Sequence, residues 1–328
     1  MPTPTTDMQA VLDAHAAMGP LPIETLSAEV ARQIPLADRA AMAVVGHSAV
    51  KRAMTPAPTP VGSVEHRLIP GPDGGDLLVR VYTPDGDAPA GGWPVVVYYH
   101  GGGWVIATLD TYDASCRALC AGASAVIVSV AYRYAPEHPF PAAHDDALAA
   151  YRYVAANTAL FGGETGRVAI AGESAGGNLA LSTALAVRGD AAHAPRHVLA
   201  VYPVTDLVHG PASASAKENA DAKPLNTPML TWFYTYLAPR VQWGDPRLSV
   251  LHADLAGLPP VTLVQAEIDP LRSEGTAMAE RLAAAGVPVE ARVFEGVTHE
   301  FFGMAGVVGG ATEAMAFACK RLSDALKR

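Results

Sequence analysis

The chain alternates uncharged apolar runs with helix-prone stretches from residue 95 onward. The apolar runs lie at 95–99, 124–131, 168–171, 198–202 and 261–265, and the helical stretches lie at 110–121, 142–157, 175–187 and 272–285. Strands that are apolar on both faces are typical of a mainly parallel sheet covered by helices on both sides. Because right-handed crossovers bring the carboxyl ends of such strands to one edge, we expect the functional groups there.

Residues 1–55 differ from the rest of the chain because they contain no strand pattern. They predict three helices divided by prolines: one that Thr6 or Asp7 caps and that stops near Gly19, one that Ser27 opens and that ends before Pro35, and one over 36–52. A proline-rich linker at 55–60 follows this block. It leads to an expected antiparallel strand pair at 64–69 and 77–82.

A second segment, 207–248, interrupts the alternation after the fourth apolar run. Its small-residue-rich part at 211–217 is expected to be mobile, whereas Thr227 and Pro228 form the N-cap and first-turn signature of a helix. The helical spacing of its large side chains favours core packing for most of them. Because the segment is an insertion after a strand end, the alternative for some of them is that they cover a substrate pocket. They are Met229, Trp232, Phe233, Tyr236 and Leu237.

Charge, cysteine content and the N-terminal residues exclude some classes of function and some partners. A net charge of −9 without a basic run argues against nucleic acid as a partner. Cys116, Cys120 and Cys319 make no disulfide framework, and we interpret them as reduced packing residues. The N-terminus lacks the basic and apolar regions of a signal peptide, and no run reaches about 18 apolar residues. We therefore expect a soluble, cytoplasmic protein without a membrane partner.

The sequence Gly-Glu-Ser-Ala-Gly-Gly at 172–177 lies between an apolar run and a helix-prone stretch. Glycine two residues before and after Ser174 removes Cβ atoms that would collide with the backbone in a sharp strand-to-helix turn. This is the pattern of the nucleophile elbow of serine hydrolases. The five residues alone fit a plain small-residue turn about equally well, because Gly, Ser and Ala are common in this chain.

A second motif favours the hydrolase interpretation. His-Gly-Gly-Gly-Trp at 100–104 follows an apolar run directly, as does the oxyanion loop that accompanies the elbow in lipases and esterases. Backbone amides of this loop and of Ala175 are expected to stabilise the negative charge of a tetrahedral intermediate. His100 is expected to fix the loop. Phosphate binding is a weaker alternative, because no Lys-Ser/Thr follows the glycines and no complete G-x-G-x-x-G is present.

Ser174 needs a base to remove its proton. Beyond His209 only His252 and His299 remain, and His252 precedes the apolar run at 261–265, which leaves too little chain for an acid before it. His299 follows a predicted strand at 289–294 and lies in a strand-end loop. The chain order of serine, acid and histidine in α/β hydrolases therefore predicts His299 as the base, with a plain surface histidine as the minor alternative.

Three carboxylates compete to orient that histidine, because all follow the apolar run at 261–265. Asp269 is favoured, since Pro270 fixes the turn after it and Glu274 lies one helical turn further on. Glu267 remains a serious alternative because it is closer to the end of the strand.

Four stretches in this order resemble the bacterial hormone-sensitive-lipase-like esterases, a family of α/β hydrolases. They lie at 100–104, 132–143 and 172–178, and at 269–271 together with 299–301. The resemblance implies an α/β-hydrolase fold with a mostly parallel sheet, a triad of Ser174, Asp269 and His299, and oxyanion amides at Gly102, Gly103 and Ala175.

The resemblance also implies that the chain is divided into a helical cap and a catalytic domain. Residues 1–55 and the insertion 207–248 would form a helical cap, and residues 56–206 and 249–328 would form the catalytic domain. The implied activity is hydrolysis of short- to medium-chain acyl esters through an acyl-enzyme. No cofactor or metal is expected, and a small-molecule ester and a homodimer are the expected partners.

Three positions depart from the family pattern. Glu173 precedes the serine where Asp is common, Ser273 occupies a position where a second acid is usual, and Glu300 follows the histidine where a small residue is common. We hypothesise that Glu300 adds negative charge near His299 and raises the pKa of that histidine.

The motifs leave three alternatives open. An amidase or a lipase would use the same triad, and a lipase would also need a large apolar entrance. A ligand-binding receptor of the same fold, similar to the plant gibberellin receptors, lacks the catalytic histidine, so the presence of His299 argues against a receptor.

Overall fold

Eight strands form one central sheet in the computed structural model, which describes residues 2–34, 36, 37, 40, 41 and 58–327. The strands are β1 (Ser63–Pro70), β2 (Asp76–Thr83), β3 (Trp93–Tyr99), β4 (Val126–Val130), β5 (Gly163–Glu173), β6 (Val198–Val201), β7 (Val261–Ile268) and β8 (Val289–Thr298). Their order across the sheet is β1-β2-β4-β3-β5-β6-β7-β8. Strand β2 is antiparallel to β1 and to β4, and the other pairings are parallel. The predicted mostly parallel sheet with an antiparallel pair before it is confirmed.

Helices cover both faces of this sheet, as predicted. Among the described residues they are α1 (Thr6–Ala17), α2 (Ala28–Ala31), α3 (Asp113–Ala123), α4 (Ala142–Ala156), α5 (Ala175–Val187), α6 (Ala214–Glu218), α7 (Thr227–Leu237), α8 (Arg272–Ala284) and α9 (Gly309–Ala325). Strand β3 shows why both faces are apolar: Val95 and Val97 pack in one core with α4, α5 and α8, while Val96 and Tyr98 pack in another with α3 and α9. Alternate side chains of a strand point to opposite faces, so a doubly covered strand is apolar throughout.

The predicted helix starts are partly wrong. Helix α1 has Thr5 as its N-cap, so neither Thr6 nor Asp7 caps it. The Ser27 side chain caps α2 as predicted. Helix α7 is capped by Asn226, whose Oδ1 accepts a hydrogen bond from Met229 N at 2.8 Å, because the Thr227 hydroxyl instead donates to the Ala216 carbonyl. Most of the helix predicted over 36–52 lies outside the described residues.

The segment 211–217, which the sequence predicts to be mobile, overlaps the short helix α6. Ser213 caps this helix by accepting a hydrogen bond from Ala216 N. Ser215 then fixes it to the start of α8: its backbone N donates to Ser273 Oγ at 2.9 Å, and Ser273 N donates to Ser215 Oγ at the same distance. Ser273 therefore connects α6 to the start of α8.

All three cysteines are free and buried, in agreement with the prediction that they are packing residues. Cys116 and Cys120 lie on α3, and Cys319 lies on α9. Burial raises the pKa of Cys120 and of Cys319 to about 12, so both thiols remain protonated and unreactive at neutral pH.

In the part of the chain that the structure describes, every helix is too short or too polar to cross a membrane.

Candidate active site

Ser174 lies in the sharp turn between β5 and α5, with φ 57° and ψ −119°. A Cβ on Gly172 would lie 2.1 Å from the Gly176 carbonyl oxygen, and a Cβ on Gly176 would lie 2.0 Å from the Tyr99 carbonyl oxygen. Both distances are far below van der Waals contact, so only glycine fits at these positions. The steric argument made from the sequence is therefore confirmed, and Ser174 in this turn lines the cavity described below.

The structure brings Ser174, His299 and Asp269 into one hydrogen-bonded chain. His299 Nε2 lies 3.0 Å from Ser174 Oγ, and His299 Nδ1 lies 2.7 Å from Asp269 Oδ2. Ser174, Asp269 and His299 directly follow β5, β7 and β8, so three parallel strands deliver them to the same edge of the sheet. A carboxylate cannot donate, so Nδ1 carries the hydrogen and Nε2 is left to accept the serine proton.

The two competing carboxylates are engaged elsewhere. Glu267 Oε2 accepts a hydrogen bond from Gly296 N at 2.8 Å, which holds its side chain against β8. Glu274 is buried and accepts hydrogen bonds from the backbone N–H groups of Thr205 and Asp206. Of the three candidates, only Asp269 contacts the His299 ring, which is the arrangement that the sequence favoured.

Several negative groups act on His299. Burial alone opposes protonation, but the Asp269 carboxylate and, more weakly, Glu300 and Glu173 outweigh it and raise the pKa of His299 above its ordinary value. Glu300 Oε1 lies 3.9 Å from His299 Nε2, and the Tyr112 hydroxyl holds the Glu300 carboxylate with contacts of 2.9 and 3.0 Å. The direction of this effect agrees with the hypothesis made from the sequence.

Glu173 is buried beneath the site, and sequence reasoning missed its partners. Its carboxylate accepts hydrogen bonds from the hydroxyls of Tyr98 and Tyr202. Burial raises the pKa of Glu173, although the two tyrosine hydrogen bonds oppose that rise. The Tyr202 ring lies 4.4 Å from the His299 ring, centroid to centroid, so Tyr202 connects the buried acid to the triad. The acid before the serine was the available signal, because a buried carboxylate requires donors.

The glycine loop at 101–103 lies against Ser174. Gly102 and Gly103 have φ values of 98° and 59°, and both line the same cavity as Ser174 and His299. A Cβ on Gly103 would lie 2.2 Å from Phe233 Cδ1, so the loop needs glycine there. Within residues 2–34, 36, 37, 40, 41 and 58–327, the backbone N–H groups of Gly102, Gly103 and Ala175 donate to no protein acceptor. These amides are thus available to a bound carbonyl oxygen.

His100 fixes this loop, as expected from its position. Its Nδ1 lies 2.8 Å from the Gly101 carbonyl oxygen, and its Nε2 lies 3.1 Å from the Tyr134 hydroxyl. The Tyr132 hydroxyl donates to the His100 carbonyl at 2.8 Å, and the Tyr132 ring stacks on the His100 imidazole. Burial lowers the pKa of His100 to about 4, so the ring is neutral and holds the loop at neutral pH.

A cavity of about 650 Å³ opens in front of Ser174. Its walls away from the triad are mostly apolar and come mainly from the N-terminal segment and from residues 207–248, with Trp104, Ile106 and Ala107 beside them. Examples are Leu12, Ala16, Ile23, Ala222, Leu225, Met229 and Phe233. Of the large side chains on α7, Met229 and Phe233 therefore line the cavity, while Leu237 packs in the core.

The two segments also contact each other. Trp232 Nε1 donates a hydrogen bond to the Leu26 carbonyl at 3.0 Å, and Asn226 Nδ2 donates to Glu24 Oε1 at 3.0 Å. Arg32 links the N-terminal segment to the glycine loop region, because its Nε donates to the Val105 carbonyl at 2.7 Å. The apolar wall of the cavity is thus assembled from parts of the chain that are about two hundred residues apart.

A mostly parallel sheet with Ser174 in the turn after β5 is the arrangement of an α/β hydrolase. The sequence pattern of an alpha/beta hydrolase fold family matches residues 96–303, and the chain belongs to that family. The resemblance to hormone-sensitive-lipase-like esterases is confirmed.

Individual relatives narrow this class. The chain is similar to carboxylesterase NlhH of Mycobacterium tuberculosis, with 42% identity over 80% of this chain and 83% of the relative. It is also similar to the ethyl acetate hydrolase of Pseudomonas putida, with 37% identity over 77% of this chain and 80% of the relative. Among solved structures, the hyperthermophilic esterase of Pyrobaculum calidifontis superposes with a TM-score of 0.86 and 33% identity and covers 99% of both chains.

Proposed function

We propose that this protein is a serine carboxylesterase that hydrolyses small esters through an acyl-enzyme on Ser174. The observation that carries the proposal is the hydrogen-bonded chain from Ser174 Oγ through His299 to Asp269, at the base of a cavity large enough for a small ester. The names of its relatives, a carboxylesterase and an ethyl acetate hydrolase, support the same reaction.

The catalytic cycle follows from the positions of these atoms. Ser174 Oγ attacks the ester carbonyl carbon while His299 Nε2 takes the hydroxyl proton. Collapse of the tetrahedral intermediate breaks the bond to the alcohol, which leaves with that proton, and the acyl group stays on Ser174. Water then attacks the acyl carbon and gives a proton to His299, and the second collapse releases the carboxylic acid and returns the proton to Ser174. Asp269 orients the ring and stabilises its cationic form throughout.

The amides of Gly102, Gly103 and Ala175 would receive the developing oxyanion. Each such preorganised donor contributes about 2.7–4 kcal/mol to the stabilisation of a transition state in comparable enzymes. The loop that carries two of them is held by His100 and its two tyrosines, so the donors do not have to reorganise during the reaction.

We expect a helical cap to select the substrate. Residues 1–55 and 207–248 would form it, over a catalytic domain of residues 56–206 and 249–328. This division is supported by the apolar side chains that both segments contribute to the cavity and by the Trp232 and Asn226 hydrogen bonds between them. A bounded apolar cavity favours acyl chains of short to medium length, because further methylene groups would remain in water.

A series of p-nitrophenyl esters from acetyl to palmitoyl tests this proposal. We expect kcat/KM to be highest for a short or medium acyl chain and to fall at least about tenfold for palmitoyl, because a chain longer than the cavity displaces the ester carbonyl from Ser174, and a misplacement of about 1 Å can cost about 100-fold. Matched anilides serve as the control for amidase activity. A preference for palmitoyl would instead identify a lipase, and equal turnover of anilides would identify an amidase.

Glu300 is expected to set the acid side of the pH profile. His299 must be neutral to accept a proton, so activity falls as the pH drops through its pKa. Because the negative charge of Glu300 contributes to the raised pKa of His299, Glu300→Gln should move the acid limb of kcat/KM to lower pH. The measurement is the pH dependence of kcat/KM with one ester for both proteins.

Glu267→Gln is the matched control for that experiment, because it removes a nearby carboxylate that is bound to Gly296 N instead of facing the histidine. Its acid limb should coincide with that of the unchanged protein. An unshifted limb in Glu300→Gln would contradict the assigned role of Glu300.

A further inference from the structure

Asp206, His209 and His252 form a side-chain cluster that the esterase chemistry does not use. His209 Nδ1 and His252 Nε2 each lie 3.1 Å from Asp206 Oδ2. One ligand atom from each residue lies within 4.8 Å of the other two. Asp206 is nearly buried, whereas the side chains of His209 and His252 are 71% and 45% exposed. The cluster is therefore rigid on its acidic side and open to solvent on its imidazole side.

We propose that these three residues bind a divalent transition-metal ion of the Zn²⁺ type. In a tetrahedral site with bonds of about 2.0–2.1 Å, neighbouring ligand atoms lie roughly 3.3 Å apart. The two distances of 3.1 Å from the Asp206 oxygen are close to that spacing. The exposed His209 ring can rotate to bring its nitrogen to the corresponding distance from His252. Two imidazoles and one carboxylate leave the fourth position to solvent.

The backbone prepares Asp206 for this role. Its Oδ1 accepts hydrogen bonds from the backbone N–H groups of Val208 and His209, each at 3.0 Å, so Oδ2 is directed toward both imidazoles. Leu251 N donates to the Thr205 carbonyl at 2.9 Å, which holds the two chain segments that carry the ligands side by side. Such hydrogen bonds fix a ligand side chain before the ion arrives and raise the affinity of the site for the metal.

The arrangement differs from an ordinary histidine-aspartate pair elsewhere on the surface. At Asp190 a single histidine, His193, lies 3.0 Å from one carboxylate oxygen. At Asp206 two histidines converge on the same oxygen from different segments, with their rings nearly perpendicular at 73°. Neutral imidazole nitrogens with a carboxylate are a donor set for Zn²⁺, Co²⁺ or Ni²⁺, whereas Mg²⁺ and Ca²⁺ prefer oxygen ligands throughout.

The position of the cluster gives the ion a structural consequence. Asp206 and His209 lie where the insertion 207–248 leaves the sheet domain, and His252 lies just after the insertion returns. A bound ion would therefore connect the two ends of the insertion and would stabilise the folded state without taking part in ester hydrolysis.

Metal-stripped full-length protein is the material for the test. Equilibrium dialysis against Co²⁺ or Zn²⁺ should give one bound ion per chain that depends on this cluster, and the Co²⁺ form should show visible d–d absorption. At about 100 times the dissociation constant, the ion should raise the midpoint of thermal unfolding by roughly 4 °C, while Mg²⁺ should leave it unchanged.

Variants locate the ion. His209→Ala and His252→Ala should each lower the affinity for Co²⁺ by about 10- to 100-fold and remove the rise in unfolding temperature. His193→Ala, which removes a histidine from the ordinary pair, should bind as the unchanged protein does. The proposal is overturned if the unchanged protein binds no ion, if both cluster variants retain its affinity, or if His193→Ala loses as much affinity as they do.

Discussion

Replacing Ser174 by alanine is expected to lower kcat for p-nitrophenyl butyrate by about 10⁴-fold or more, because it removes the atom that forms the acyl-enzyme. The residual rate should reflect only the oxyanion amides and substrate binding. Ser174 Oγ is hydrogen-bonded to His299. The backbone at Ser174 has φ 57°, and alanine adds no steric conflict there because serine already carries a Cβ. The fold should therefore persist, and circular dichroism and thermal unfolding check that it does.

Ser182→Ala is the matched control for this prediction. Ser182 is also a buried serine, but it lies within α5 and outside the triad. Its replacement should leave kcat within a few-fold of the unchanged protein. Undiminished turnover in Ser174→Ala would refute the acyl-enzyme on Ser174, whatever the behaviour of Ser182→Ala.

Replacing Asp269 by asparagine is expected to lower kcat by about 10⁴-fold, as it does for the corresponding acid of a serine protease triad. An asparagine amide N–H facing Nδ1 would favour the tautomer that carries its hydrogen on Nε2, so His299 could no longer accept the serine proton. The 2.7 Å contact between Asp269 Oδ2 and Nδ1 is the geometric basis for this expectation. Steady-state kinetics with a single ester measures it.

Glu267→Gln distinguishes the two acids that the sequence left in competition. It is the same carboxylate-to-amide change two residues away, and it should alter kcat only a few-fold. A severe loss in Glu267→Gln together with a mild effect in Asp269→Asn would reassign the orienting acid.

The elbow was predictable from the sequence because its strand-turn-helix pattern is visible along the chain. Gly172 is required by the Gly176 carbonyl, four residues away, whereas Gly176 is required by the Tyr99 carbonyl on the adjacent strand β3. The choice between Asp269 and Glu267 was less certain, because it depends on pairing between β7 and β8. That pairing presents Gly296 N to Glu267 and leaves Asp269, just past the strand end, to face His299.

The insertion was the least predictable part for the same reason. Ser215 and Ser273 are 58 residues apart, yet their reciprocal hydrogen bonds hold the short helix α6 against the start of α8. Thr227 has the composition of an N-cap, but its hydroxyl donates to Ala216, and the cap role passes to Asn226. The caps themselves are local, but the contact between Ser215 and Ser273 joins distant segments, and the contact between Thr227 and Ala216 spans 11 residues.

The hydrogen bonds of Trp232 to Leu26 and of Asn226 to Glu24 have a consequence for redesigning this protein. The wall of the cavity is a joint product of two chain segments, so neither is an independent module. A graft that exchanges only the N-terminal segment for that of a relative would leave the insertion facing an unmatched surface. Libraries aimed at new acyl groups should therefore vary both segments as one unit.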